Sequence, residues 1–416
     1  MDILNKKSFH YGHVIVLCCF LIMFVIVGLV MSCAGIFYKP VSSDLGIEVG
    51  TLSIYMSVNF LSSTLTLSIA GKLMERYSVR WILTICSLII AITFIGMSRF
   101  NSVWQFYIAG TLFGISLAFL MYLGFPTLLN RWFKSRMGIF IGICSAGSGI
   151  GGVLFNPIAG YLITIYGWRM TYLIFGLAIF FIVTPVLALL LRDYPKDKGI
   201  KPYGEENKNM DNASLTKKNI DGVTYSKAIK MPIFYGLIAF AFLINAAATL
   251  NIFLPTFVQT TGFSVEQSSL VASSAMIGVT VGKVLLGMIN DHSAFWGTVT
   301  TTGLGIVGLG LLLIGSNMLF MYIGGSFLFG WAYAGVTVQT PMLVRHVFGN
   351  KNYAQIYSNI SMAIAIGGAI AAGGWGLIAD VSSYKTIFSI GIVFLFISGF
   401  IGSYSITQKN SRTSTK

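Results

Sequence analysis

The sequence predicts an all-α membrane protein with twelve transmembrane helices in two pseudo-symmetric six-helix bundles. Three observations lead to this fold class. Of the 416 residues, 55% are hydrophobic and only 10% are charged, and the mean hydropathy is +0.80. Apolar stretches recur along the chain, and two distant regions repeat each other at one spacing. A soluble domain carries roughly 25% charged residues, so this chain has too few charges to cover a water-exposed surface of its size.

Twelve apolar stretches are each long enough to cross a bilayer, which takes about 20 residues. Their approximate edges are 12–38, 51–72, 81–98, 104–126, 138–162, 170–191, 232–257, 266–289, 295–315, 318–342, 355–378 and 385–405. The first stretch is too long for the apolar core of a signal peptide, so we interpret it as a span. All five cysteines lie in apolar stretches without a CxxC pair, which indicates neither a disulfide framework nor a zinc site.

One long polar segment, residues 192–231, separates the sixth span from the seventh. We expect it to be a mobile cytoplasmic linker without a site of its own, because its composition cannot bury a core. It divides the chain into an N-terminal half, residues 1–191, and a C-terminal half, residues 232–416. The linker is also too short and too polar for a folded output domain, which argues against a sensor.

The distribution of Lys and Arg predicts the orientation, because these residues are enriched in cytoplasmic loops. With both termini inside, the inner loops, termini and linker hold 22 of the 27 Lys and Arg residues. Lys283 lies within a span, and the outer side holds only Lys39, Arg99, Arg169 and Lys385. We therefore expect a multi-pass protein of the cell membrane with cytoplasmic termini. This bias also explains the net charge of +14 without a nucleic-acid partner.

Two separate regions of the chain are repeated in the second half at one constant offset in residue number. Gly71-x-Leu73-x-Glu75-Arg76 corresponds to Gly287-x-Ile289-x-Asp291-His292. Gly151-Gly152, Gly160, Arg169 and Tyr172 correspond to Gly367-Gly368, Gly376, Lys385 and Phe388. The residue numbers differ by 216 in both cases. A shared offset in two places indicates a duplication of six spans, with parallel halves related by an axis along the membrane normal.

The loop after the second span, Gly71 to Arg80, resembles the signature G-x-L-x-D-R-x-G-R-[RK] of the major facilitator superfamily, with Glu75 in place of Asp and Ser78 in place of Gly. A small residue at Gly71 lets helix ends approach closely. Glu75, Arg76 and Arg80 could form charge-assisted bonds that hold the cytoplasmic side shut, and Gly287 and Asp291 repeat the motif. An ordinary positively charged inner loop is the alternative.

Residues 130–172, with the segments Arg131-Trp132-Phe133 and Gly167-Trp168-Arg169, resemble the fifth-helix region of the oxalate/formate antiporter and monocarboxylate transporter group of that superfamily. The resemblance implies a transporter of small organic anions that works by alternating access, with no cofactor. Gly147, Gly149 and Gly152 also satisfy a G-x-G-x-x-G pattern, but a dinucleotide site requires a strand before it. We instead expect Gly147, Gly151, Gly152, Gly367 and Gly368 to allow close helix packing.

Lys283 is the one ionisable Lys, Arg, Asp, Glu or His residue deep within a predicted span, and its counterpart in the first half is Leu67. A charge in the bilayer is costly and usually functional. In the resembled group a cation at the matching place binds the substrate carboxylate, although it is usually Arg. Lys283 is therefore the main candidate for anion binding. The alternative is that its amine extends to the cytoplasmic face.

Five further residues are candidates for substrate binding. In the resembled group a lysine at the place of Lys39 takes part in substrate capture, and tyrosines at the places of Tyr122 and Tyr333 contact substrate. Lys39 could instead be an interfacial anchor, and either tyrosine a packing residue. Asn59 and Asn245 are polar residues within spans, for which hydrogen bonding between helices is the more common role.

These patterns predict a carrier of a monocarboxylate or dicarboxylate rather than an enzyme. No cluster of catalytic or metal-binding side chains is evident in the sequence. The preceding turns of the Lys283 span, residues 276–282, contain no acid, which disfavours proton coupling through this helix and favours exchange or facilitated diffusion. An exporter of apolar or drug-like compounds remains the alternative. We expect the lipid bilayer and a small organic anion as partners, and function as a monomer.

Overall fold

The computed structural model describes residues 10–133, 137–204, 222–315, 318–349 and 352–414. The described chain is helical, and its β-structure consists of two isolated bridges. Helix α1 comprises Gly12–Leu21, a π-helical stretch Ile22–Ser32 and Ala34–Leu45, followed by α2 Val49–Arg76, α3 Val79–Met97 and α4 Val103–Trp132. The continuous stretch Met137–Ala178, Ile179–Val183 and Thr184–Leu190 forms α5 and α6. The second half contains α7 Pro232–Thr260, α8 Val265–His292, α9 Ala294–Ile314, α10 Leu319–Phe348, α11 Tyr353–Val381 and α12 Tyr384–Ser414.

Within the described residues, ten helices are long and apolar enough to cross a membrane, and eleven if the bent helix α2 is included. One of the ten, Ile139–Leu190, has 52 residues. At about 1.5 Å per residue it is far longer than a bilayer is thick. Gly167 interrupts it with φ 76° and ψ 166°, and we divide α5 from α6 there. This division leads to the predicted number of twelve, which length and hydropathy alone do not give.

The two ends of the linker attach to equivalent places in the two halves. Tyr203 N donates a hydrogen bond to Trp132 O at 2.9 Å, and Val223 N donates to Phe348 O at 2.8 Å. The acceptors Trp132 and Phe348 are counterparts in the repeat and end α4 and α10. We expected a mobile linker, but its described ends, residues 192–204 and 222–231, are bonded to the helices. Residues 205–221 lie outside the described chain.

We call the end of the bundle that carries the linker the linker side, and the opposite end the far side. The halves are held together toward the far side. There Gly50 N at the start of α2 donates to Asp380 Oδ2 at the end of α11, at 2.6 Å. Gly373 N donates to Ser57 Oγ, also at 2.6 Å, between the same two helices. The equivalent pair, α5 and α8, is joined by the Ser273 hydroxyl, which donates to Val153 O.

Candidate functional site

A cavity of about 550 Å³ lies between the two halves. Its walls come from α1, α2, α4 and α5 of the first half and α7, α8, α10 and α11 of the second. Many lining residues are counterparts in the repeat: Ser32 and Ala248, Phe60 and Met276, Ser63 and Val279, Leu67 and Lys283, Met121 and Thr337, Ser148 and Ile364, and Gly149 and Ala365. The duplication therefore places equivalent positions on opposite walls of one cavity.

Lys283 lines this cavity from α8, about two and a half turns before the linker-side end of that helix. It is the one Lys, Arg, Asp, Glu or His among the described lining residues. Its amine forms no ion pair or hydrogen bond with the described residues. The single ion pair within the described chain joins Arg169 to Asp44, at 3.1 Å. Its repeat partner Leu67 lines the opposite wall. The cavity thus carries one unneutralised positive charge.

Tyrosines lie in the walls around this charge. Tyr122 of α4 and Tyr333 of α10, both predicted from the sequence, line the cavity, and Tyr122 is 37% exposed. Tyr357 of α11 also lines it and stacks on Tyr353, with ring centroids 5.6 Å apart. Sequence reasoning missed Tyr357, because nothing in the α11 sequence distinguishes a cavity-facing tyrosine from a packing one. Together these rings supply flat apolar surface and hydroxyl groups.

The other candidates occupy different environments. Asn245 lines the cavity, and its Nδ2 donates to Ile364 O at 2.6 Å. Asn59 is fully buried outside the lining, with its Nδ2 3.7 Å from Met31 Sδ. Lys39 is exposed on α1 toward the far side and does not line the cavity. The structure therefore brings Lys283, Tyr122, Tyr333 and Asn245 together and leaves Asn59 and Lys39 apart from them.

A 3₁₀ turn in α7, Thr249–Phe253, forms another part of the wall that sequence reasoning did not identify. Asn251 in this turn lines the cavity and is only 8% exposed, and its Oδ1 accepts no hydrogen bond from the described residues. The following residue, Ile252, closely approaches Gly35 of α1 through its carbonyl group. Pro255, just after the turn, was the available sequence signal for a local break in this helix.

The signature loop lies on the linker side, away from the cavity. Arg80 donates from its guanidinium to Ala188 O and from its backbone N to Asp193 Oδ1, at 2.7 Å for the latter. Arg76 lies over the Tyr77 ring at 5.6 Å. Glu75 is exposed and forms no ion pair within the described chain. The loop thus contacts the start of the linker rather than the other half.

The copy of this loop in the second half is also loosely packed around its motif residues. Asp291 is exposed. An added Cβ at Gly71 or at Gly287 would have no described atom within 4 Å, outside its own helix and its neighbours in the chain. Hence neither copy of the motif is packed against the opposite half in this conformation.

The five glycines predicted for helix packing all lie against a neighbouring helix. At each of them an added Cβ would fall within 3.1 Å of another residue. Gly147 and Gly151 face α1, Gly152 faces α1 and α8, and Gly367 and Gly368 face α7. A side chain at these positions would force the helices apart.

Comparison with known proteins gives one family. The model of the Major Facilitator Superfamily matches residues 20–302 and 246–416. The MFS-type transporter YhjX of Escherichia coli is 22% identical over 344 residues, 80% of each chain. The MFS-type transporter YcxA of Bacillus subtilis is 20% identical over 392 residues, 91% of each chain.

Solved structures show the same fold. A bacterial homologue of the human lysosomal transporter Spinster, in an inward-facing and unoccupied conformation, superimposes with a TM-score of 0.73 at 16% identity, covering 97% of this chain and 99% of that one. The nucleoside transporter NupG superimposes with a TM-score of 0.71 at 12% identity, covering 95% and 99%. Both identities are low, so these likenesses concern the fold alone.

Proposed function

The chain belongs to the Major Facilitator Superfamily and is a multi-pass transmembrane transporter; we propose that it carries small organic anions by alternating access, with Lys283 as the main anion contact. The observation that carries this proposal is the unpaired amine of Lys283 in a cavity without an acid among its described lining residues. A buried charge without a counter-charge is costly, and a substrate carboxylate would supply that counter-charge.

The remaining lining suits an organic anion. Tyr122, Tyr333 and Tyr357 offer hydroxyl donors beside the cation, and Asn245 offers an amide. A cavity of about 550 Å³ lies within the range typical of small-molecule sites. The resemblance of residues 130–172 to the oxalate/formate antiporter and monocarboxylate transporter group supports the same substrate class.

The contacts between the halves support an alternating-access cycle. The far side is closed by contacts such as the hydrogen bond from Gly50 N to the Asp380 carboxylate, while the loop motifs at Gly71 and Gly287 on the linker side have open space around them. We infer a conformation open toward the linker side, which the Lys and Arg distribution assigns to the cytoplasm. The halves would rock about the cavity, with the linker-side ends closing as the far side opens.

The absence of an acid among the described lining residues favours anion exchange or facilitated diffusion over proton coupling through the cavity. We further infer a location in the cell membrane with both termini in the cytoplasm, and function as a monomer, since the cavity is formed within one chain.

An exporter of apolar or drug-like compounds is the second candidate. It is favoured by the apolar lining side chains Phe60, Met31, Met121 and Met276. Methionine adapts its shape to varied ligands, and such surfaces suit several apolar compounds. The single unneutralised cation argues against cationic drugs, because they would be repelled.

Uptake of labelled lactate, oxalate and formate into proteoliposomes tests the proposal. We expect uptake by the wild type and at least tenfold less uptake by Lys283→Gln, since a hydrogen bond to a charged group is lost. Lys385→Gln, a change in an exposed far-side lysine, is the matched control and should transport like the wild type. If neither these acids nor longer, ring-containing carboxylates are taken up, or if Lys283→Gln transports like the wild type, the anion site is refuted. A pH gradient imposed in the same vesicles tests for proton coupling.

A further inference from the structure

A second polar group in the cavity lacks a partner, at some distance from Lys283. The Oδ1 of Asn251 is buried and accepts no hydrogen bond from any described residue. The amide oxygens of Asn59, Asn156 and Asn290 are also without partners, but those residues do not line the cavity. The Oδ1 of Asn251 is enclosed by the protein, whereas the Nδ2 of the same amide is not among the enclosed atoms and forms no hydrogen bond within the described chain, so Nδ2 is the atom of Asn251 that can donate to a ligand in the cavity.

The local backbone presents Asn251 to the cavity. The 3₁₀ turn Thr249–Phe253 interrupts α7, and Ala248, Thr249, Asn251 and Ile252 all line the cavity. Ala248, Asn251 and Ile252 have the i, i+3, i+4 spacing that places side chains on one face of a helix, and this face lines the cavity. A 3₁₀ stretch within a helix often marks a hinge or a strained sequence. The segment therefore presents several residues, Asn251 among them, to the same space.

Asn251 and Lys283 lie at different heights in the bundle. Asn251 is about two and a half helical turns from the far-side end of α7 at Thr260, and Lys283 is about five turns from the far-side end of α8 at Val265. With the far-side ends of the two helices taken as level, the two positions differ by roughly 13 Å along the bundle at about 5.4 Å per turn. The lysine side chain can reach part of this distance, so a ligand that meets both groups needs polar ends roughly 8 to 13 Å apart.

Aromatic rings occupy the heights between these two groups. Phe60 is about three turns from the far-side end of α2 at Val49, and Tyr333 is about four turns from the far-side end of α10 at Leu319. Both line the cavity. A two- or three-carbon acid could touch Lys283 or Asn251 but could not meet both. The middle of the cavity would then stay filled with water against apolar walls, which is unfavourable.

We propose that the cavity binds an elongated organic acid, whose carboxylate meets Lys283, whose ring or apolar body lies against Phe60 and Tyr333, and whose far end carries a hydroxyl group for Asn251. A hydroxyl group fits because it both donates and accepts, as the amide does. This inference rests on the proposed anion transport and narrows its substrate class to hydroxylated, ring-containing carboxylates.

The position of Asn251 also connects the ligand with closure of the far side. The next residue, Ile252, contacts Gly35 of the other half through its backbone, and Thr256, one turn later, donates to Gly35 O at 3.4 Å. A ligand bonded to Asn251 therefore holds the turn that forms part of the contact between halves. Small acids that reach only Lys283 would leave this turn unengaged.

Binding of a matched series of acids to the purified transporter in nanodiscs tests the proposal by calorimetry. The probes are 3-(4-hydroxyphenyl)propanoate, 3-phenylpropanoate without the hydroxyl group, 3-(4-hydroxyphenyl)propanamide without the charge, and propanoate without the ring. For the wild type we expect about tenfold weaker binding when the hydroxyl group is absent, and a larger loss when the carboxylate is absent. Propanoate should bind weakest of the three acids.

Variants assign each effect to a residue. In Asn251→Leu the hydroxylated and the unsubstituted acid should bind alike, while in Lys283→Gln the acid and its amide should bind alike. Asn359→Leu is the control, because Asn359 lies on α11 outside the lining and bonds within its own helix. If a variant does not fold, the binding of the four probe compounds to the wild type still tests the inference.

The outcomes separate this inference from the broader proposal. A wild type that binds the hydroxylated and unsubstituted acids equally, or a hydroxyl effect that persists in Asn251→Leu, overturns the role of Asn251. Binding of propanoate with equal or higher affinity overturns the elongated substrate but leaves anion transport in place. Failure of every carboxylate to bind overturns the proposed function itself.

Discussion

Replacement of Gly50 by alanine tests how the far side is held closed. Gly50 is the second residue of α2, after Glu48, whose side chain does not cap the helix. Its N–H is bonded to Asp380 of the other half at 2.6 Å, so an acid from α11 caps α2. An added Cβ at Gly50 would clash with the Asp380 carboxylate and lie 2.6 Å from the carbonyl carbon of Gly376. A change of rotamer could move the carboxylate but not the backbone of Gly376.

The size of the effect follows from these distances. Carbon atoms in contact prefer about 3.5–4.0 Å, so α2 and α11 must separate by about 1 Å. The Gly50–Asp380 distance then exceeds the hydrogen-bond range, and a bond to a charged group, worth about 1.5–3 kcal/mol, is lost. This changes the ratio of far-closed to far-open molecules by about 10- to 150-fold. A protein that is about 99% far-closed would become roughly 40–90% far-closed.

Distances between spin labels at Ser43 and Ser383 measure this ratio. Both residues are exposed on the far side, one in each half, and the five native cysteines are buried. We expect Gly50→Ala to add a longer-distance population. Gly374→Ala on α11 is the control, since no described atom beyond its own helix and chain neighbours lies within 4 Å of the added Cβ. An unchanged distribution in Gly50→Ala, or the same change in Gly374→Ala, would refute the reasoning.

Three further substitutions have expected outcomes. Asp380→Ala removes the same bond without a clash, so the same labels should report a shift toward the far-open population of about the same size, and no shift would contradict the capping role. Gln339→Leu removes the acceptor of the hydrogen bond from Asn290 Nδ2 and should lower the free energy of unfolding by about 1–3 kcal/mol. The loss should appear as a lower Tm in detergent, while the substrate affinity of the folded fraction stays unchanged. Arg169→Gln removes the bonds to Phe100 O and to the exposed Asp44. We expect the free energy of unfolding to fall by about 1 kcal/mol or less in the same melting experiment, because exposed ion pairs contribute little to stability, and a larger fall would contradict this reasoning.

Much of the fold could be predicted from the sequence, because the bilayer imposes a simple requirement. A span needs about 20 apolar residues, and Lys and Arg avoid one side, so hydropathy alone identifies most helices. Their ends were harder to place. We predicted that the first span ends at Tyr38, whereas α1 continues through Pro40 to Leu45. Hydropathy reports the depth of burial in lipid, and a helix that extends into water leaves no such signal.

The candidate site was only partly predictable. Lys283 was identified because a charge in an apolar stretch is rare, and it does line the cavity. Asn251 was missed, since an asparagine in a span is more often a hydrogen-bonding contact between helices. Asn251 lines the cavity whereas Asn59 lies outside the lining, and which face of a helix meets the cavity depends on how the helices pack, which composition and periodicity do not encode.

The repeat explains why one lysine has such weight in the proposed function. A duplication builds two walls from equivalent positions, and Leu67 and Lys283 are such a pair, both lining the cavity. If both positions carried an amine, the like charges would repel across the cavity, and if both carried leucine, no charge would hold an anion. The present pair gives one charged wall and one apolar wall at the same height. A ligand then has its carboxylate on the α8 side. Introducing Leu67→Lys together with Lys283→Leu moves the charge to the α2 side at the same height, so carboxylate binding measured by calorimetry should be retained in this double variant, and a loss of binding as large as that of Lys283→Gln would contradict the equivalence of the two walls.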